Sequence, residues 1–237
     1  MPITAAVSAA EVQAQVNQRF VNKYIEALLV DAAGITYTPG VTNDTNFLSN
    51  EVAVGTGGYD RVVFIYQPAD QTTYADGGVG LATKGSIFAH DGGTTSMPFT
   101  HAALVWGSGN VASLDAATSD PSAGNDGLYT DIPTVTTGGG TGLFVDVTVN
   151  NDVFVFTPSK FGRGYQTGDV VTVTEADLVS AGAVALGAGG AAMQIGAVSS
   201  NTESGQIIAV AQTDARVTLG NGEEAAFYWD LKLFGFD

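Results

Sequence analysis

Near the start of the chain Val12, Val16, Phe20, Tyr24 and Leu28 recur at a four-residue spacing, and Gln15, Arg19, Asn22, Lys23 and Glu26 collect between them. Apolar positions on one side and polar ones on the other make the pattern of an amphipathic helix. Ser8 followed by Glu11 has the form of a capping box, with the hydroxyl accepting from the backbone N–H of position 11 and the carboxylate reaching back to the cap. Gly34 offers a stop. Steps of four overshoot a helical turn, so the stripe winds around the axis, and Val21, Ile25 and Leu29 widen it towards the end. The expectation is a helical arm over residues 1–33, which either packs on the chain's own sheet or docks onto a neighbouring subunit.

From Ile35 onward the texture changes to short β-rich runs separated by turn residues. RVVFIY (61–66), GSIFA (85–89) and FTHAALVW (99–106) form one block, and QIIAVAQ (206–212), ARVTL (215–219) and EAAFYWDLKLF (224–234) form another. In the last run Ala226, Tyr228, Asp230 and Lys232 alternate with Phe227, Trp229, Leu231 and Leu233, the period of a strand with one buried face.

The stretch between the blocks is different. Asp115 to Asp131 is rich in Asp, Ser, Ala and Gly and reads as a loop, and GGGTG (138–142) reads as a flexible link. LFVDVTV and DVFVFT then flank Asn150 and Asn151, residues that tolerate the left-handed backbone of a tight hairpin, and DVVTVT (169–174) supplies a further strand. ALGAGGAAMQIGAVSS (185–200) shows no period that assigns it. The predicted fold class is mainly β: an antiparallel β-sandwich over 34–114 and 205–237, preceded by the N-terminal α-helix, with a small β module, 115–204, inserted in a loop. Insertions are tolerated best at loop tips.

Charge narrows the function classes. The 237 residues carry 24 acidic and 8 basic side chains, a formal net charge of -16. The cations, Arg19, Lys23, Arg61, Lys84, Lys160, Arg163, Arg216 and Lys232, are scattered. Nucleic acid and anionic membrane surfaces need clustered Lys and Arg, so neither is an expected partner. With no cysteine there is neither a disulfide framework nor a thiolate metal site. MPITAAVSAAEVQ lacks the basic region and unbroken apolar stretch of a secretory signal. A soluble protein is expected, remaining in the cytoplasm of its cell unless it leaves within a larger particle.

Residues that could carry chemistry are few. His90 and His101 lack the His-x-x-x-His spacing of a zinc site; His90 opens a turn and His101 falls within a strand. Ser, His and Asp occur without a G-x-S-x-G elbow, and GTGGYD, GGGTG and GAGGAA lack the Lys-Ser/Thr ending of a phosphate loop. In DPSAGND (120–126), Asp120, Asn125 and Asp126 offer hard oxygen ligands for calcium, against the default of a solvated loop. Paired carboxylates for glycoside hydrolysis are not identifiable from spacing. Trp106 and Trp229 are the aromatics to test as sugar platforms, although both sit in apolar runs where core packing is the usual role. No catalytic, cofactor-binding or metal-binding residues are assigned, and no cofactor is expected.

Two segments resemble bacteriophage families. Ser49, Asn50, Glu51, Val52, Gly57, Gly58, Tyr59 and Arg61 in SNEVAVGTGGYDRVVF (49–64), followed by HAALVW (101–106), resemble a family of small structural proteins of tailed phages, in which these residues precede the first long strand of a β-sandwich. Gly142, the hairpin, Gly164, Tyr165, Gly168 and Asp169 in residues 141–173 are similar to a small β module of phage structural and tail proteins. The chain departs from the sandwich family in carrying an insertion. The resemblance implies a virion structural protein, a capsid decoration (cement) protein or part of the tail or fibre apparatus, whose partners are other virion proteins and further copies of itself; a trimer fits such a role. The alternative is a receptor- or glycan-binding tip domain with the inserted module as reader, and a depolymerase is the third option. In this sequence Tyr59 and Arg61 are expected to fix the turn before a strand rather than to touch a ligand.

Overall fold

The computed structural model describes residues 9–73, 79–91, 93–115, 126–151, 153–184, 190–199 and 205–233. The protein is mainly β, with several antiparallel sheets. It forms two compact units, one made of Met1–Trp106 with Gly205–Asp237, the other of Gly107–Ser204.

The first unit opens with α1 (Ala9–Arg19) and β1 (Tyr24–Val30). The helix expected to run on towards Gly34 therefore ends at Arg19, and residues 24–30 are a strand rather than part of an arm. Asn22 takes a left-handed φ of 57°, and its N–H bonds to the Tyr66 carbonyl, which turns the chain out of the helix. A spacing of four misleads here because it nearly matches a helical turn and is also twice the strand period. Ser8 of the expected capping box lies outside the described residues.

α2 (Asp44–Leu48), capped by Asn43, β2 (Val62–Ile65), β3 (Gln71–Thr73), β4 (Val79–Leu81), β5 (Lys84–Ala89) and β6 (Met97–Trp106) follow. After the second unit the chain returns as β14 (Ile207–Leu219), β15 (Glu224–Trp229) and β16 (Lys232–Leu233). One sheet has the order β14-β6-β1-β2, and smaller ones are β15-β5 and β16-β4-β3. β1 is buried on both faces. Ile25, Ala27 and Leu29 join a core with Val16, Phe20, Leu104 and Trp106, while Leu28 and Val30 join another with Phe47, Ala103 and Val105. A strand covered on both sides reads as a continuous apolar run, which is why its period was hidden.

β14 is one strand where two were expected; its register against β6 jumps between Gln212 and Val217, and Thr213 donates from its hydroxyl to the Thr100 carbonyl. The final run is divided instead. β15 alternates as expected, exposing Ala226 and Tyr228, then pairing stops at Asp230 and β16 joins β4.

The second unit holds β7 (Val111–Leu114), β8 (Gly127–Pro133), β9 (Val135–Thr136), β10 (Thr141–Asn150), β11 (Val153–Arg163), β12 (Val170–Val173), α3 (Glu175–Ser180) and β13 (Ala191–Val198). Its sheets are β11-β10-β8 and β7-β13-β12-β9. The β7–β13 pairing places the start of this unit at Gly107, ahead of the Asp115 boundary that composition suggested. The hairpin at Asn150 and Asn151 is present, with Asn151 at φ 48°. β8 occupies part of the expected loop: only Ile132 of it is buried, and it is held by pairing with β10 and by the Asp131 N–H donating to Asp146. β13 comes from the unassigned Gly- and Ala-rich stretch, with Ala191, Met193 and Ile195 facing the core. α3 was not foreseen either; Thr174 caps it, accepting from the Asp177 N–H at 3.2 Å.

Candidate functional site

The densest cluster of ionisable side chains with assigned contacts is built from the SNEV and GGYDR motifs. Asn50 and Val52 are tied to β1: the Asp31 N–H donates to the Asn50 carbonyl and the Val52 N–H to the Leu29 carbonyl. This fixes Glu51 beside β1. A tight turn over Gly55–Gly58 then brings Tyr59 and Arg61 to the same place. Gly57 permits the approach, with φ at 56° and space so limited that a Cβ would lie 2.6 Å from His90 Nε2.

Arg61 Nε donates to Glu51 Oε1 at 2.7 Å and Nη2 to Glu51 Oε2 at 2.5 Å, a bidentate pair. Its Nη1 donates to Glu26 Oε2 at 2.6 Å from the middle of β1. The Tyr59 hydroxyl donates to Glu51 Oε1 and accepts from the Leu29 N–H, both at 3.0 Å. Glu26 and Tyr59 are each only 1 % exposed. Burial works against the charged guanidinium, but Glu51 and then Glu26 more than offset it and hold the Arg61 pKa above its ordinary value. Burial, followed by the Glu51 charge, pushes the Tyr59 phenol up as well. Chemically this arrangement is a clamp that joins β1 to the segments on either side of the turn. Asn50, Val52, Gly57 and Gly58 contribute backbone to it, whereas Glu51, Tyr59 and Arg61 contribute side chains; the Ser49 N–H bonds instead to the Thr45 carbonyl at the end of α2.

Glu26 was the missed member. On a helix it would belong to the solvated polar face; in β1 it is an acid set within an apolar run, and that lone acid is the signal that could have marked it.

His90 lies against Gly57 of this turn, and His101 lies in β6. His90 is buried, its Nε2 2.8 Å from the Thr95 carbonyl and its backbone N–H bonded to the Glu223 carbonyl. His101, in β6, pairs through Nδ1 with Thr100 Oγ1 at 2.8 Å and meets the Phe47 ring edge-on at 5.1 Å. Burial pushes its pKa down, with Gln212 and the Ile35 backbone opposing. No group of three or more metal-binding side chains gathers among the described residues. Of the calcium ligands considered, Asp120 and Asn125 lie outside the described residues, and Asp126 immediately precedes β8.

Neither tryptophan offers a sugar platform. Trp106 is 2 % exposed and packs on Phe20 at 5.2 Å, and Trp229 is 6 % exposed and donates from Nε1 to Ser86 Oγ at 2.9 Å. In the second unit the marked residues form a turn core. Tyr165 is buried so closely against GGGTG that a Cβ on Gly140 would lie 2.3 Å from its ring. The expected flexible link is thus a fitted turn. Asp169 accepts from the Gln166 N–H at 2.9 Å.

The first unit also has a cleft of about 200 Å³ beside β14, lined by Tyr37, Pro39, Gln212 and the run 207–210. That is below the usual size of a small-molecule site, ~300 Å³ and upward. Tyr37 donates to Asp44 Oδ1 at 2.9 Å, and its pKa is pushed up to about 12 by burial and then by Asp44. Comparisons with protein-family models, curated proteins and solved structures find no match for the chain.

Proposed function

We propose that the chain is a virion structural protein of a tailed bacteriophage, bound to other virion proteins as a capsid decoration protein or a tail-associated component. In this reading the first unit is a β-sandwich that makes the protein contacts, and the second is a β module inserted into its sequence. The observation that carries the proposal is the Glu51–Arg61–Glu26 clamp. The residues that resemble the phage family converge in space, and each ionised group is engaged by another side chain of the chain itself. Such a motif serves a rigid body rather than a ligand.

The lopsided charge supports the same role. Copies bearing a net -16 repel one another through most of their surface, which suppresses random sticking and leaves association to specific faces. Electron microscopy of particles assembled with and without the protein tests the proposal. The expected result is extra density, repeated by the particle's symmetry and large enough for both units; an unchanged map removes the idea.

A further inference from the structure

β14 is an edge strand, and its two halves are treated differently. Residues 213–219 carry Asp214 and Arg216, a register jump against β6, and the Arg216–Asp31 ion pair. Charges and bulges are the means by which natural sheets blunt an edge. Residues 207–212, Ile-Ile-Ala-Val-Ala-Gln, also shift register against β6, between Ile207 and Ala209, but they have no charge, no proline and no glycine, and no strand pairs with their outer side among the described residues. The other margin of this sheet, β2, is only four residues long, so among the described residues only β14 gives this sheet a long edge with an uncharged stretch.

The cleft walled by Tyr37 and Pro39 runs along this same segment. An unguarded edge and a groove alongside it are what an added strand requires: main-chain hydrogen bonds from the edge, and a pocket for alternate side chains.

We infer that residues 207–212 pair antiparallel with the same residues of a second copy, joining two of the central sheets across a two-fold axis. The occupant follows from charge. A chain of net -16 gains nothing by presenting most of its surface to another copy, but this strip brings no carboxylate against a carboxylate. The nearest flanking charges on β14, Asp214 and Arg216, have opposite signs. A two-fold axis places the strip opposite itself, so one uncharged sequence is its own complement. The inference deepens the self-assembly part of the proposed function and rests on that part alone.

The test is native mass spectrometry and sedimentation velocity on the full chain over a concentration series, with hydrogen exchange read on β14. Even-numbered assemblies are expected. Exchange in 207–212 should slow as they form, while 214–218 stay unchanged. Gln212→Lys, at an exposed position, should weaken association at least tenfold; because Gln212 also bonds to the His101 side chain, Gln212→Ala is its control, sharing any loss of unfolding midpoint but not the tenfold loss of association. Val210→Lys tests the middle of the strip, and a variant that fails to fold is replaced by the exchange measurement on the native chain. A monomer at about 100 µM, a range in which weak contacts still register, overturns both the pairing and the self-assembly reading. A trimer, or an assembly indifferent to Gln212→Lys and without protection in 207–212, overturns the pairing alone. Protection that arises only when another virion protein is added overturns the second copy as occupant.

Discussion

In the first unit the marked residues are joined by ionised side chains, Arg61 between Glu51 and Glu26, whereas in the second they are joined by turn backbone packed against one ring, Tyr165. The difference follows from what each must hold. β1 is buried on both faces, so a carboxylate within it is tolerable only when a cation meets it, and the cation must come from a distant segment. The strands of the second unit bury one face, as in β10, where inward Leu143, Val145, Val147 and Val149 alternate with less buried neighbours. Apolar burial organises that face, and the precision lies in the turns. A charged clamp concentrates its contribution in one residue, while a fitted turn distributes it over several.

Arg61→Met should break the comparison most severely. It leaves Glu26 and Glu51 without their cation, and the unfolding free energy from urea titration should fall by about 3–5 kcal/mol. A fall of less than about 1 kcal/mol would mean that ordinary surface ion pairing describes the cluster. Gly140→Ala should come next, at about 1–3 kcal/mol, because Tyr165 must move to admit the methyl group. Gly139→Ala, with open space at its Cβ, is its control and should lie within about 0.5 kcal/mol of the native chain. Equal effects at the two glycines would dissolve the fitted-turn account.

Thr174→Ala removes the cap of α3 and should cost about 1 kcal/mol, with Thr174→Ser restoring most of it. A smaller effect is expected at His101. Its pKa is depressed in the folded state, so the folded chain binds fewer protons than the unfolded one. The stability this confers is present above the unfolded value of about 6.5 and declines as pH falls below it towards the folded value. His101→Gln should flatten the pH dependence of the melting temperature in that window; an unaltered slope would place the titration elsewhere. Arg216→Ala, which removes an exposed partner of Asp31, should move the melting temperature least of all.

Much of this architecture was legible beforehand. The hairpin at Asn151 followed from two alternating runs about a pair of turn-forming residues, and β5, β6 and β15 followed from β-branched and aromatic runs between glycine clusters. These signals are local, and a local pattern needs only neighbouring residues to act. The clamp was half legible: Glu51, Tyr59 and Arg61 stood together in one stretch, but Glu26 belonged to a segment whose period fitted both helix and strand. The cleft had no signature, because Tyr37 and the β14 residues meet only through folding.

Chain chemistry alone determined that strands would dominate, that no thiol chemistry exists, and that the surface would be strongly acidic. It also determined where several turns fall, since backbone sterics act over a few residues. Tertiary structure decided that residues 24–30 become a strand buried on both faces, that the carboxylates at 26 and 51 share one guanidinium, and that β14 is left at an edge. Each of these depends on which segments come together across long stretches of chain. Burial and ion pairing are rewarded only at that point, and a pattern confined to neighbouring residues does not record them.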